Sequence, residues 1–184
     1  MAVPGFTLVE LLIVLAVTAI LGSVALPALT RINTTNQMVT EINQLAAALR
    51  LARTEALKRG ADVTICTASR DDSGTIGCDD TAHWHDGWVI HPAATPSERL
   101  AVFGGLSSGD SLQSLDETRR ITFNRYGFSI HKETLVLCPP DGDPRKARAL
   151  LLERAGRIVA AQDDDGSGIV DAIDGSDVRC PGGR

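Results

Sequence analysis

Four groups of residues in this 184-residue chain have the types and spacing to do chemistry. The first runs from Asp163 to Asp174 and fits a twelve-residue calcium loop at positions 1, 3, 5, 6, 8 and 12. Asp163, Asp165 and Ser167 would offer oxygen ligands, Gly168 the sharp turn, and Asp174 would stand where such loops usually place glutamate. The competing reading is a soluble, acidic, glycine-rich turn. The second group is basic and aromatic: Arg119, Arg120 and Arg125 beside Tyr126 and Phe128, with Arg145, Lys146 and Arg148 further on. Such clusters can hold nucleic acid through phosphates and stacking, but they also serve as charged, solvated strand edges. The third is His83, His85, Asp86 and His91, where spacing identifies no third metal ligand. A loop that packs Trp84 and Trp88 onto a core accounts for it better. The fourth is a lone carboxylate, Glu10, inside an apolar run from Phe6 to Leu29. No G-x-S-x-G nucleophile motif and no phosphate-binding glycine loop occurs, so the sequence predicts no catalysis and no required cofactor.

The elements that position these residues follow from composition and periodicity. Phe6 to Leu29 is long enough to span a hydrocarbon core of ~30 Å at ~1.5 Å per helical residue. A carboxylate there costs about 3 kcal/mol on insertion scales and needs a partner, although the positive pole of its own helix would also favour it. Pro27 should kink this helix or mark its end at the membrane surface. Beyond it Ile42, Leu45, Ala46, Leu49, Ala52 and Ala56 recur at three- and four-residue steps, predicting an amphipathic helix that stops at Lys58, Arg59 and Gly60.

After Gly60 short alternating runs predict strands at 63–67, 87–91, 100–103, 120–123, 128–131, 134–138, 149–153 and 157–161. Tyr126-Gly127 and Ala155-Gly156 read as hairpin turns. The predicted class is α+β, with mostly antiparallel sheet laid on the helix.

Charge is divided unevenly. Residues 1–59 hold Arg31, Arg50, Arg53, Lys58 and Arg59 against Glu10, Glu41 and Glu55, or +2, which leaves −7 of the net −5 for the remainder. An acidic head argues against general nucleic-acid binding. The cysteines Cys66, Cys78, Cys138 and Cys180 form no C-x-x-C pair and suggest two disulfides in an exported domain. Three connectivities are open; chain order favours Cys66 with Cys78 and Cys138 with Cys180.

Gly5-Phe6-Thr7-Leu8-Val9-Glu10, followed by an apolar helix, resembles the class III signal of type IV pilins and type II secretion pseudopilins. The stretch Ala52-Arg53-Thr54-Glu55-Ala56-Leu57-Lys58-Arg59, the strand ending at Cys66, the run Trp84-His85-Asp86-Gly87-Trp88-Val89-Ile90 and a terminal cysteine narrow this to the GspH/FimT (FimU) group of minor pilins. The resemblance implies a leader, residues 1–5, removed after Gly5 by a prepilin peptidase that also N-methylates Phe6. The five residues before the cut lack the Lys or Arg usual in such leaders.

It further implies a membrane segment over 6–29, an amphipathic continuation over 30–60 and a periplasmic β-sandwich-like head over 61–184. The chain would cross the bacterial inner membrane once, contact its lipid, and enter a pilus or pseudopilus beside other major and minor pilins or pseudopilins, near the tip, helping to prime assembly. Glu10 would meet the Phe6 amine of a neighbour. DNA-binding competence pilins of the FimT type share a G-R-x-R stretch; here Gly156-Arg157-Ile158-Val159 keeps the first arginine, so Arg157 joins Arg119, Arg120 and Arg125 as a DNA candidate.

Overall fold

The computed structural model describes residues 7–70, 74–106 and 109–180, with the backbone alone over 22–34. The expectations for Gly5 and Phe6 lie outside these residues, as do those for the side chain of Pro27. The chain divides into two compact units, Met1–Gln37 and Met38–Arg184.

Helix α1 (Leu8–Arg59) runs through both units, and its helical backbone continues past position 27. It opens on Thr7, whose Oγ1 accepts the Glu10 amide at 3.2 Å. That bond satisfies one of the orphan donors of the first turn, as an N-cap does. From Leu8 to Leu21 its large apolar side chains are exposed all round, Val17 least at 49% and Leu8 most at 74%. Among the described residues no helix is long and apolar enough to cross a membrane; the Phe6–Leu29 run lies partly outside them.

In the second unit the predicted stripe is buried: Ile42, Leu45, Ala46, Leu49, Ala52 and Ala56, joined by Met38 and Ala48. Ala48, Ala52 and Ala56 are fully buried within this stripe. α1 ends as its sequence predicts. Gly60 takes φ +61°, and the Ala61 amide returns to the Ala56 carbonyl at 3.3 Å, the six-to-one bond of a Schellman cap.

Two antiparallel sheets follow. The first is built around β1 (Val63–Arg70), which pairs with β3 (Gly87–Pro92) along one edge. Its other edge is shared by β6 (Arg120–Phe123) and the short β2 (Ile76–Cys78), while β4 (Ala101–Gly104) extends β3. The register sets Ile65 opposite both Ile90 and Ile121, so one face is continuously apolar. The second sheet has the order β5 (Ser111–Ser114), β7 (Glu133–Cys138), β8 (Arg148–Leu152), β9 (Ile158–Ala160). Leu112, Leu135, Leu137, Leu150, Leu152 and Ile158 from this sheet share one core with α1 and with Val63, Ile65, Trp88, Ile90 and Phe123 from the first.

Strand alternation explains why every residue of β7 is buried. Leu135 and Leu137 face that core, while Val136 and Cys138 face a second cluster with Ala149, Ala172 and Val178. The segment after β9 therefore forms a cover over the far face of the second sheet. Disulfide Cys138–Cys180 holds the cover down, and Cys66–Cys78 ties β1 to the end of β2; the paired Cα atoms are 5.7 Å apart in both.

One predicted strand is absent. Residues 128–131 make only a single bridge, Ser129 to Phe123. Their amides are split between the sheets: Ser129 N donates to the Arg154 carbonyl at 3.0 Å and Ile130 N to the Thr122 carbonyl at 3.3 Å. A segment shared in this way cannot ladder to either sheet. Strands β2 and β5 were not predicted; β2 is three half-exposed residues, and β5, Ser-Leu-Gln-Ser, has one apolar position.

Candidate functional site

Three places gather the residues of interest: the start of α1, a junction on its second half, and the acidic cover. At the start, Thr7 and Glu10 occupy the first and last positions of the capping pattern T-x-x-E. Glu10 is exposed. Its local role is thus to occupy the third helical position, near the positive pole.

The junction is built on Arg53. Its Nε donates to the Gly127 carbonyl at 3.0 Å and its Nη2 to the Ala155 carbonyl at 3.2 Å. Gly127 lies in the turn after β6 and Ala155 in the turn between β8 and β9, so one guanidinium ties the helix to a turn from each sheet. In the sequence Arg53 enters only the charge balance and the Ala52–Arg59 stretch. Nothing in its spacing marks the role, because the partners are backbone carbonyls 74 and 102 residues away. Near it Glu55 bonds Lys58 at 3.3 Å and Arg59 at 3.0 Å, and Arg59 reaches Glu98 at 2.8 Å. The Arg59 contact, foremost, holds the Glu55 carboxyl below its usual range.

The four arginines considered for DNA are not gathered into one free basic face. Arg120 forms a two-pronged ion pair with Asp80, at 2.6 Å and 2.8 Å. Arg157 pairs with Glu153 through both Nε and Nη2. Arg125 lies over the Tyr126 ring, 5.6 Å from its centroid. Arg119 is half-buried. Lys146, of the second basic cluster, pairs with Asp141 and Asp143.

The Trp84 segment forms a 3-10 turn (Trp84–Asp86) with Trp84 and Trp88 fully buried. Trp84 Nε1 donates to the Thr118 carbonyl at 2.7 Å, and Trp88 stacks on Phe103. His83, His85 and Asp86 do converge at the surface, with the two imidazoles stacked 5.0 Å apart. The Asp86 carboxylate already accepts the His83 amide at 2.7 Å.

In the acidic cover, Asp163 and Asp165 come together as the loop pattern predicts, but their third companion is Asp171 rather than Asp174. Asp163 Oδ1 accepts the amides of Gly166 and Ser167 at 2.7 Å and 3.1 Å, and its Oδ2 that of Gly168 at 2.9 Å. Asp165 Oδ1 accepts the Ser167 amide at 2.9 Å, a bond that holds the Asp165 carboxyl below its usual range. Ser167 turns its hydroxyl to Asp177 at 2.8 Å. Asp174 closes the following turn by accepting the Ser176 amide at 3.0 Å and hydroxyl at 2.7 Å. Asp171 sits at position 9 of the twelve, a position the sequence reading passed over although the loop pattern allows a ligand there.

Sequence reasoning also missed Glu133, which is 1% exposed at the start of β7. Its Oε1 accepts the Ser114 hydroxyl at 2.8 Å and the Thr134 amide at 3.0 Å, and burial pushes the carboxyl above its usual range.

Residues 41–156 match the family described as Type II transport protein GspH, and residues 2–26 match the Prokaryotic N-terminal methylation motif. Among solved structures, the chain is similar to the type IV minor pilin FimU of Pseudomonas aeruginosa (strain PAO1) in two crystal forms. One has 21% identity, 69% of this chain and 90% of that one covered, and a TM-score of 0.58. The other has 21% identity, coverage of 65% and 89%, and a TM-score of 0.52. The minor pseudopilin EpsH from the Type 2 Secretion System of Vibrio cholerae shows 13% identity, coverage of 67% and 95%, and a TM-score of 0.47. No curated protein sequence matches the chain.

Proposed function

The chain belongs to the GspH family of type II transport proteins, and from that premise we propose that it is a non-enzymatic minor pilin or pseudopilin subunit that joins a filament at or near its tip and helps to prime assembly. The observation that carries this reading is the N-terminal helix. Its methylation motif opens a segment whose apolar side chains are exposed on every side from Leu8 to Leu21. A helix that is apolar all round needs an apolar environment, and lipid before assembly followed by neighbouring helices afterwards supplies one throughout. Glu10 then becomes the contact that selects a neighbour, because a carboxylate among apolar helices is satisfied by the amine freed at Phe6 of another subunit.

In this reading residues 1–5 are the leader, 6–29 the membrane segment, 30–60 its amphipathic continuation and 61–184 the periplasmic head. The prepilin peptidase and methylase act on the chain, which performs no chemistry of its own. DNA capture is the weaker alternative, since Arg120 and Arg157 hold carboxylates of their own chain and would have to release them to bind phosphate.

Mass spectrometry of the N-terminal peptide, on chain isolated from its native membrane, tests the proposal. The expected terminus is N-methylated Phe6. An unprocessed terminus, or a cut beyond the apolar run, would contradict it.

A further inference from the structure

We propose that the acidic cover is a calcium site whose carboxylate ligands are Asp163, Asp165 and Asp171, and that the bound ion locks this cover onto the second sheet. Oxygens of these three residues lie within 4.8 Å of one another. Backbone amides offset part of their charge, at Asp163 from Gly166, Ser167 and Gly168 and at Asp165 from Ser167, and a cation among the three oxygens would offset the rest. Clustered acidic groups at a surface are common, but Asp171 is not at the surface: it is 6% exposed. Its Oδ2 is taken by the Asp164 amide at 2.8 Å, whereas its buried Oδ1 has no hydrogen-bond partner. A buried carboxylate oxygen left unpaired is costly, and a cation held with Asp163 and Asp165 removes that cost.

The chemistry of the donor set favours calcium. All three ligands are hard oxygens, and calcium takes six to eight of them in flexible geometry, completed by water or carbonyl groups. Three carboxylates make a modest site, with a Kd on the order of 0.1 to 1 mM, as in extracellular modules. The mechanical consequence follows from the chain path. Asp171 bridges to Asp177, Asp177 accepts the Ser167 hydroxyl, and the neighbouring Ala172, Val178 and Cys180 pack over Val136 and Ala149. An ion binding Asp163 and Asp165 to Asp171 therefore closes the loop across the base of the cover. The inference stands apart from the assembly reading, since it rests on the head alone.

The test is a thermal melt of the purified full chain in detergent, in EDTA, in 10 mM calcium chloride and in 10 mM magnesium chloride. The expected result is a rise of about 5 °C with calcium, by mass-action stabilisation of the folded state, and a smaller rise with magnesium. The rise should disappear in Asp171→Asn and in the exposed-site variant Asp165→Asn, and persist in Asp174→Asn. The proposal is overturned by no rise in the unaltered chain, by an equal response to magnesium, by a rise that survives in Asp171→Asn and Asp165→Asn, or by one lost in Asp174→Asn.

Discussion

Replacing Gly156 with alanine is expected to destabilise the head by about 3 to 5 kcal/mol, adding the cost of a left-handed backbone to that of a forced backbone shift. Gly156 has φ +73°, and a Cβ built there would strike the Gly127 carbonyl oxygen and lie 2.8 Å from Arg53 Nε. Neither obstacle can move cheaply. The Gly127 oxygen is the acceptor of the Arg53 bond, and Arg53 is the link between α1 and the two turns. Two other glycines calibrate the effect. At Gly60, φ is +61° with nothing within 4 Å, so alanine should cost about 1 kcal/mol from the backbone alone. At Gly127, φ is +76° and the nearest atoms are Arg53 Nε at 3.1 Å and the Leu57 side chain at 3.2 Å, so a small displacement relieves the contact where Gly156 demands a large one. Urea unfolding followed by the fluorescence of the buried Trp84 and Trp88 should therefore rank the variants Gly60→Ala, Gly127→Ala, Gly156→Ala in increasing damage. Equal midpoints for the three would remove the junction from the account.

Loss of the Cys138–Cys180 disulfide should be the second large effect. The bond closes a span of 42 residues, against 12 for Cys66–Cys78. Loop-closure entropy predicts about 4 kcal/mol for the longer loop and about 3 for the shorter. The structural consequences differ more than these numbers suggest. Cys66–Cys78 joins strands already paired in register, whereas Cys138–Cys180 anchors a cover whose regular pairing is one bridge, Asp171 to Asp177, among the described residues. The double variant Cys138→Ala/Cys180→Ala should become sensitive to protease within residues 161–180 while Trp84 and Trp88 remain buried at low urea. The double variant Cys66→Ala/Cys78→Ala should keep the cover protected. Protection of the cover in both variants would show that its apolar contacts alone hold it.

These two sites also show where sequence reasoning reached and where it stopped. Periodicity located the buried stripe of α1, and alternation located β1, β3, β6, β7 and β8, because in each the apolar positions repeat on one face over several residues. It failed where geometry depends on distant chain. Phe128 to His131 has a strand's composition but divides its amides between two sheets, and β2 is a strand through its pairing with β1 rather than through its own residues. Among candidate sites, the loop pattern picked Asp163 and Asp165, which lie together, and chose Asp174 at position 12, whereas the residue that lies with them is Asp171 at position 9. Folding of the cover against β7 buries Asp171 and leaves Asp174 in a local turn.

The glycine of the Gly156-Arg157 stretch carries a related lesson. It is required by the close approach of two turns, and its arginine is paired with Glu153. Both residues thus have structural reasons to be where they are, apart from any ligand.

The central claim is that the N-terminal helix enters a filament through Glu10. Crosslinking in intact native membranes, with a photoreactive residue at the exposed position of Leu15, measures this most directly. The unaltered chain should be captured with other pilin-type subunits through their helices, and Glu10→Ala should reach the membrane at normal levels yet yield none of these adducts. Capture of Glu10→Ala by the same partners in the same amount would contradict the account.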